Sequence, residues 1–437
     1  MCGWVSRCAG TRTWTLALVV CLTVGYSGWI VHVVRTDRTV DFYAYYLASE
    51  SIARGSNPYE VSTSQRDALA RELGLTHWQT PYRYPPHTAV MLLALRPLGP
   101  RGAAMLWGFI NGAALIAGAY LLGGIGSRRW GHVATMTMLL FWYPAWDSLR
   151  SGQISGIMFL LLVLALLAYL KGREGWAGSS LALATVLKVF PVLLVLYVAW
   201  RRRWTSTLAS LAVIAASFLL CVPFAGVATV SSYPAHAIAL SEPGLVSTAS
   251  YNQTLTATLG RLVDGSVSTG TILIVSRVLG VVVLIVTFAL CWPRRKFARW
   301  VSLEFALVVP VCLLLPTFTF PHWLVILLVP SWIAFLSIVA ARRCLVLGGL
   351  GFLFLAASGQ ETIYWHSAGL WNSLTGNEAW RLLSLPFLFT LALWLVIARY
   401  VSFKFAPSDT PEVPSEATSE EIFSLRTPGG AQKQHVG

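Results

Sequence analysis

The chain has 437 residues, 56% of them hydrophobic and only 11% charged, with a net charge of +14. A soluble domain carries about a quarter of its residues as charged side chains, so this composition fits lipid as the solvent and excludes an ordinary soluble protein. The basic residues stand in short clusters between apolar runs, the arrangement that orients a membrane protein, and this removes the reason to read the positive charge as a nucleic-acid surface.

The first apolar run, Trp14 to about Val34, is too long for the core of a signal peptide and lacks a small-x-small cleavage site, so it reads as a first span. A polar stretch from 35 to 102 follows, with helical patterning over 42–54 and 62–74; the second stretch alternates apolar and charged residues as a helix lying in the interface does. Further apolar runs cover 103–125, 132–146, 153–170, 204–224, 271–292, 301–317, 323–340, 344–358 and 383–400. The run 176–200 is broken by Lys188 and Pro191. Proline frees backbone groups and a lysine at the bilayer centre costs roughly 3 kcal/mol, so two short helices meeting at a turn are expected there. The sum is an all-α polytopic protein of about twelve transmembrane helices.

The positive-inside rule supports the broken helix. With a hairpin at 176–200, the clusters Arg128/Arg129, Lys171/Arg173, Arg201 to Arg203, Arg294/Arg295/Lys296/Arg299 and Arg342/Arg343 fall on the side of the N-terminus, with Glu174 the one acid among them. That side is taken as cytoplasmic, with residues 1–13 on it. The segment 401–437, rich in Pro, Ser, Thr and Glu, is expected to be a disordered tail there. The 35–102 loop, Asp147 to Gln153, the Lys188 turn, 225–270, 317–322 and 359–382 then share the opposite face, where most of the polar residues with chemical potential collect.

Cysteines at 2, 8, 21, 221, 291, 312 and 344 form no CxxC pair and indicate neither a disulfide framework nor a zinc site. No HExxH, no DxD motif in the outer loops and no P-loop is present, so no metal or nucleotide cofactor is called for. Asp41 stands a few residues beyond the first span beside Tyr43, Tyr45 and Tyr46. It is either a helix cap or a base whose pKa a low-dielectric boundary raises. Arg83 and Tyr84 belong to "YRYPPH", whose double proline stiffens the return to the membrane. Gly152-Gln153 opens a helix and either binds an anion or makes a packing notch. Asn252 and Gln253, in "SYNQT", offer amides suited to sugar hydroxyls. Lys188 and His322 either sit at the bilayer edge as interfacial side chains or meet a phosphate.

In chain order these pieces are Asp41-Phe-Tyr-Ala-Tyr-Tyr, Gly55-Ser-Asn-Pro-Tyr59, Tyr84-Pro-Pro, Gly152-Gln153, Lys188-Val-Phe-Pro191, Asn252-Gln253-Thr254 and Pro321-His322. The set resembles family 87 of the glycosyltransferases, of the GT-C fold, over roughly residues 14–400. Thr254 stands where serine is commoner, and "FTFP" replaces the usual Ser-Pro and tryptophan arrangement before the histidine. The resemblance implies a multi-pass plasma-membrane enzyme that takes sugar from a polyprenyl-phosphate donor, mannose first and arabinofuranose second. Transfer would be inverting, onto an envelope glycolipid or polysaccharide on the extracytoplasmic side. Asp41 inherits the role of base and His322 that of holding the donor phosphate, with Lys188 as a helper. Tyr45, Tyr84, Arg83, Gln153, Asn252 and Gln253 would line the substrate. The competing readings are a transporter or lipid flippase, whose sign would be inverted repeats and mid-membrane charges, and a non-enzymatic scaffold in which Asp41 is replaceable.

Overall fold

The structure, a computed structural model, describes residues 2–75, 80–126, 130–239, 251–263, 266–293, 296–366 and 384–402, with side chains for all of these but 2–9, 299 and 360–366. The expected tail, the end of the 359–382 loop and the basic residues Arg128, Arg129, Arg294 and Arg295 lie outside the described residues.

The chain runs α1 (Cys2–Arg35), α2 (Val40–Ala53), α3 (Thr63–Glu72), α4 (Pro86–Leu92), α5 (Gly99–Gly123), α6 (Gly131–Phe141), α7 (Tyr143–Ser151), α8 (Ser155–Leu170) and α9 (Glu174–Leu187). It continues through α10 (Val192–Trp200), α11 (Trp204–Ala239), α12 (Leu255–Val263), α13 (Thr269–Leu290), α14 (Phe297–Leu314), α15 (Leu328–Ala340), α16 (Cys344–His366) and α17 (Leu385–Ser402). Short 3-10 segments cover Leu93–Leu98 and Pro321–Leu327. No strand occurs among the described residues. This is the all-α polytopic architecture expected from the sequence.

Among the described residues, six segments are long and apolar enough to cross a membrane: Gly10–Arg35, Pro86–Gly123, Trp204–Ala239, Thr269–Leu290, Pro321–Ala340 and Leu385–Ser402. Gly131–Phe141, Ser155–Leu170, Trp300–Leu314 and Cys344–Gly359 are shorter apolar helices. Each coincides with an apolar run read from the sequence. The run 176–200 is interrupted as expected: Lys188 is extended, at φ −149°, between α9 and α10.

Several boundaries differ from expectation: the run 132–146 breaks at Trp142 into α6 and α7, and α16 continues past 358 to His366. The helical run after the first polar stretch resumes at Pro86, not 103, and its arginines are paired: Arg96 with Glu50 at 2.8 Å and Arg101 with Asp37 at 2.9 Å. The span expected at 204–224 continues to Ala239, past a break at Gly226 whose φ is +77°.

The bundle closes tightly at small residues. A Cβ on Gly178 would lie 2.1 Å from the Ser206 carbonyl oxygen, so α9 and α11 approach backbone to backbone. The sheltered interior also takes charge. Arg201 pairs with Glu304 at 3.0 Å with both side chains almost fully buried, and Tyr197 donates to the same carboxylate at 2.9 Å. Arg203 pairs with Glu174. Two members of the basic cluster used to orient the chain are therefore compensated inside it.

Candidate active site

α2 starts at Val40, and Thr39 before it makes no side-chain cap bond. Asp41 occupies the first turn, and no hydrogen bond or ion pair engages its carboxylate among the described residues. The cap reading of Asp41 therefore fails. The tyrosines around it have separate tasks. Tyr43 donates to Asp37 at 3.2 Å and Tyr46 to the Arg96 carbonyl at 3.1 Å, and both rings are buried. They anchor α2.

Tyr45 points the other way. Its hydroxyl donates to Gln153 Oε1 at 2.8 Å, and its ring meets that of Tyr84 edge-on at 4.6 Å. Gln153 Nε2 donates to the Tyr84 hydroxyl at 2.8 Å, and Lys188 Nζ donates to Gln153 Oε1 at 2.9 Å. Gln153 is thus a hub that ties α2, the Tyr-Pro-Pro segment and the α9–α10 break together. Its backbone N–H bonds the Ser148 carbonyl at 2.8 Å, so the anion-binding helix start expected at Gly152-Gln153 is already satisfied within the chain. Burial raises the pKa of both phenols and the Asp41 charge adds to it, so each stays protonated.

The glycine of this motif has a strict role. Gly152 has φ +71°, and a Cβ there would lie 2.5 Å from Phe42 Cβ. Only glycine permits that backbone conformation together with that approach, and the approach brings α2, with Asp41, against the end of α7. The Asn57-Pro58-Tyr59 turn fixes the other side. Tyr59 N donates to Asn57 Oδ1 at 3.2 Å, and the Tyr59 hydroxyl donates to the Tyr84 carbonyl at 2.8 Å.

Lys188 is 3% exposed. Its ammonium sits 4.4 Å from the centre of the Trp323 ring, which stacks on Phe190 at 5.1 Å. No carboxylate forms an ion pair with Lys188 among the described residues, although the Asp41 charge reaches it. His322 lies next to Trp323, stacked on Phe320 at 5.5 Å. Its Nδ1 is 3.3 Å from Asp147 Oδ2, while its Nε2 is buried without a hydrogen-bond partner among the described residues. Asp147 also accepts from Arg150 Nε at 2.8 Å. Burial alone would raise the Asp147 pKa, but Arg150 and the His322 bond outweigh it and hold the carboxyl at about 2. The field of Asp41 reaches Tyr45, Tyr84, Arg150, Lys188 and His322, so these six groups face one small region.

The remaining sequence candidates stand further back. Arg83 is exposed, its guanidinium 5.9 Å from the centre of the Phe318 ring. Asn252 and Gln253 are buried against main chain. Thr319 N donates to Asn252 Oδ1 at 3.2 Å, Asn252 Nδ2 donates to the Thr317 carbonyl at 3.1 Å, and Phe387 N donates to Gln253 Oε1 at 3.2 Å. The Asn252 amide and the Gln253 backbone N–H, which donates to the Thr319 carbonyl at 2.8 Å, thereby hold the Thr317–Phe320 segment that leads into His322.

Sequence reasoning missed Asp147, Arg150 and Trp323 as neighbours of the site. The one available signal for Asp147 was an acid at i and an arginine at i+3 in a nearly uncharged stretch. For Trp323 there was none beyond its adjacency to His322.

The pattern that describes Glycosyltransferase family 87 matches residues 82–316, more than half of the chain. The chain belongs to glycosyltransferase family 87. It is accordingly a membrane glycosyltransferase, and the transporter and scaffold readings fall away. The match includes Tyr84, Asp147, Gln153, Lys188, Asn252 and Gln253, whereas Asp41, Tyr45 and His322 lie outside it. Among solved structures, this family 87 chain is similar to that of ArnT from Cupriavidus metallidurans bound to undecaprenyl phosphate, with 14% identity and a TM-score of 0.39 over 88% of this chain and 76% of that one. No curated protein matches the chain.

Proposed function

We propose that the chain transfers a sugar from a polyprenyl-phosphate donor to a hydroxyl of a cell-envelope glycolipid or polysaccharide, with inversion and with Asp41 as general base. The supporting observation is the pairing of two unmatched groups in one region. Asp41 is a carboxylate with no bonded partner among the described residues, and Lys188 is a buried cation with no carboxylate in contact. A buried, unpaired cation costs several kcal/mol unless an anion joins it, and a departing phosphate is such an anion.

The residues divide the step as follows. Asp41 takes the proton of the acceptor hydroxyl as its oxygen attacks the anomeric carbon. The bond from that carbon to the phosphate oxygen breaks, and polyprenyl phosphate leaves with the electron pair. Lys188, fixed by Gln153 and the Trp323 ring, balances the charge that develops there. His322 adds its open nitrogen on the same side. Because the donor is a lipid phosphate and already activated, the step needs no nucleotide loop. Mannose is the first choice of sugar and arabinofuranose the second, because mannose is the commoner donor in the family. The distribution of basic residues supports placing the reaction on the extracytoplasmic face, with both termini cytoplasmic.

The test is transfer in membranes from radiolabelled polyprenyl-phosphate mannose or arabinofuranose, native chain against Asp41→Asn at equal expression. Donor-dependent product that falls by about 10²-fold or more in the variant supports the base. Equal product from both chains removes Asp41 from the role.

A further inference from the structure

Asp147, Arg150 and His322 form a connected set on the far side of the histidine from its unpartnered nitrogen. Asp147 and Arg150 share α7, three residues apart, and the Arg150 Nε and Nη2 atoms both donate to Asp147 Oδ1, at 2.8 and 2.6 Å. The other carboxylate oxygen, Oδ2, is 3.3 Å from His322 Nδ1. Each carboxylate oxygen therefore has its own partner. The Asp147 side chain is 3% exposed and that of His322 7%.

Two further contacts lock the geometry. Trp142, immediately before α7, donates through Nε1 to the Leu324 carbonyl at 3.1 Å, tying α7 to the 3-10 segment that bears His322. On the ring face, Phe320 stacks on His322 with the planes 5° apart. The imidazole has no freedom to turn, and with Nδ1 directed at Asp147 its Nε2 is the nitrogen left open. It is buried and has no hydrogen-bond partner among the described residues, and the charges of Lys188 and Asp41 act on the ring.

We propose that Asp147 is a positioning residue for the transfer reaction, acting through His322, with Arg150 holding Asp147 in place. A carboxylate that accepts from Nδ1–H fixes the ring tautomer and orientation, and its charge offsets part of the cost that burial and Lys188 place on a second proton. Nε2, held toward the site, donates to a phosphate oxygen when it takes up that proton. Without the carboxylate nothing fixes the ring's tautomer, and a second proton costs more. Asp147 thus sets how well His322 stabilises the leaving phosphate. Asp147 is not itself a base in the reaction: Arg150 and His322 take up both of its oxygens. This inference rests on the transfer reading above and adds the residue that orients His322.

The experiment is a double-mutant cycle on kcat/KM for the polyprenyl-phosphate donor, using full-length protein in nanodiscs. It compares native, Asp147→Asn, His322→Gln and the double variant, with Asp41→Asn alongside. Asparagine keeps the shape of Asp147 and removes its charge, and thermal midpoints of all chains report folding. Asp147→Asn should lower kcat/KM by about 10- to 100-fold in the native background and by less than about 3-fold with His322→Gln, because a residue acting through another has no effect once that other is gone. The same loss in both backgrounds, or no loss in the native one, overturns the proposal. If His322→Gln falls below the detection limit, the cycle is read on binding of radiolabelled polyprenyl phosphate, with the same criterion of non-additivity. The Asp41→Asn arm separates the two readings. Its loss of transfer alongside an additive Asp147 effect retains the base and removes only the positioning role, whereas full activity in Asp41→Asn removes the base reading itself.

Discussion

Lys188 and Tyr45 donate to the same oxygen, Gln153 Oε1, at 2.9 and 2.8 Å. They come from the α9–α10 break and from α2, so one amide brings together the cation and the helix that carries Asp41. Gln153→Glu tests the arrangement. The carboxylate preserves the shape and both bonds but supplies Lys188 with a counter-charge, which competes with a donor phosphate. We expect a thermal midpoint close to native together with a rise of about 10-fold or more in donor KM, since a charge-assisted contact is worth roughly 1.5–3 kcal/mol. Donor titration of transfer activity checks this, and an unchanged KM would remove Lys188 from donor binding.

Gly152→Ala should damage the site without touching a polar group. The added Cβ meets Phe42, and the positive φ penalises any L side chain. A cost of about 1–3 kcal/mol for such a strained position is expected, and α2 must move, taking Asp41 with it. Reduced kcat with a lowered midpoint in thermal unfolding is the expected result. Native values for both would show that α2 tolerates the shift.

The Asp147 carboxyl is held at about 2, below its ordinary value. A group depressed in the folded state contributes stability that is fully present above its unfolded pKa and lost as pH falls through the folded value. Between pH 5 and 8 the native chain should therefore show no change in thermal midpoint that traces to Asp147. Arg150→Met removes the guanidinium that outweighs burial. We expect this variant to lose about 3–5 kcal/mol at pH 7, as when one partner of a buried pair is removed, and to recover part of that loss as pH falls from 7 to 5, because burial then holds the folded Asp147 pKa above its unfolded value and the folded chain takes up the proton. Thermal midpoints over that range in both chains decide it; a flat profile in the variant contradicts the assignment.

The Arg201–Glu304 pair is almost fully buried. Glu304→Ala strands a buried guanidinium and the Tyr197 hydroxyl, at an expected cost of about 3–5 kcal/mol. Glu304→Gln keeps an oxygen for both and should cost less. Unfolding in detergent measures the order of the two. If alanine proves no worse than glutamine, the pair is not a structural anchor.

The helical architecture was legible because the constraint behind it is severe. In lipid, backbone groups must be satisfied within each segment, so the apolar runs map onto helices nearly one to one, and the Lys188–Pro191 break follows from the same rule. Local chemistry also showed through in the Asn57-Pro58-Tyr59 turn and in the glycine at 152. The order of the motifs was enough to suggest the family.

What the sequence could not specify is which polar groups answer one another. Arg96 and Arg101 look like loop residues, yet they pair with Glu50 and Asp37. Asn252 and Gln253 are neighbours in sequence, yet the Asn252 amide meets the main chain at Thr317 and Thr319 and that of Gln253 meets Phe387 N. Tyr43, Tyr45 and Tyr46 look like one surface, yet α2 turns Tyr45 toward Gln153 and the other two toward its own supports. The physical reason is range. Apolar periodicity and turn chemistry are set by neighbours in the chain, whereas a hydrogen bond or ion pair is set by distance in space. His322 and Asp147 stand 175 residues apart in sequence, and only the packing of α7 against the Pro321–Leu327 segment brings them together.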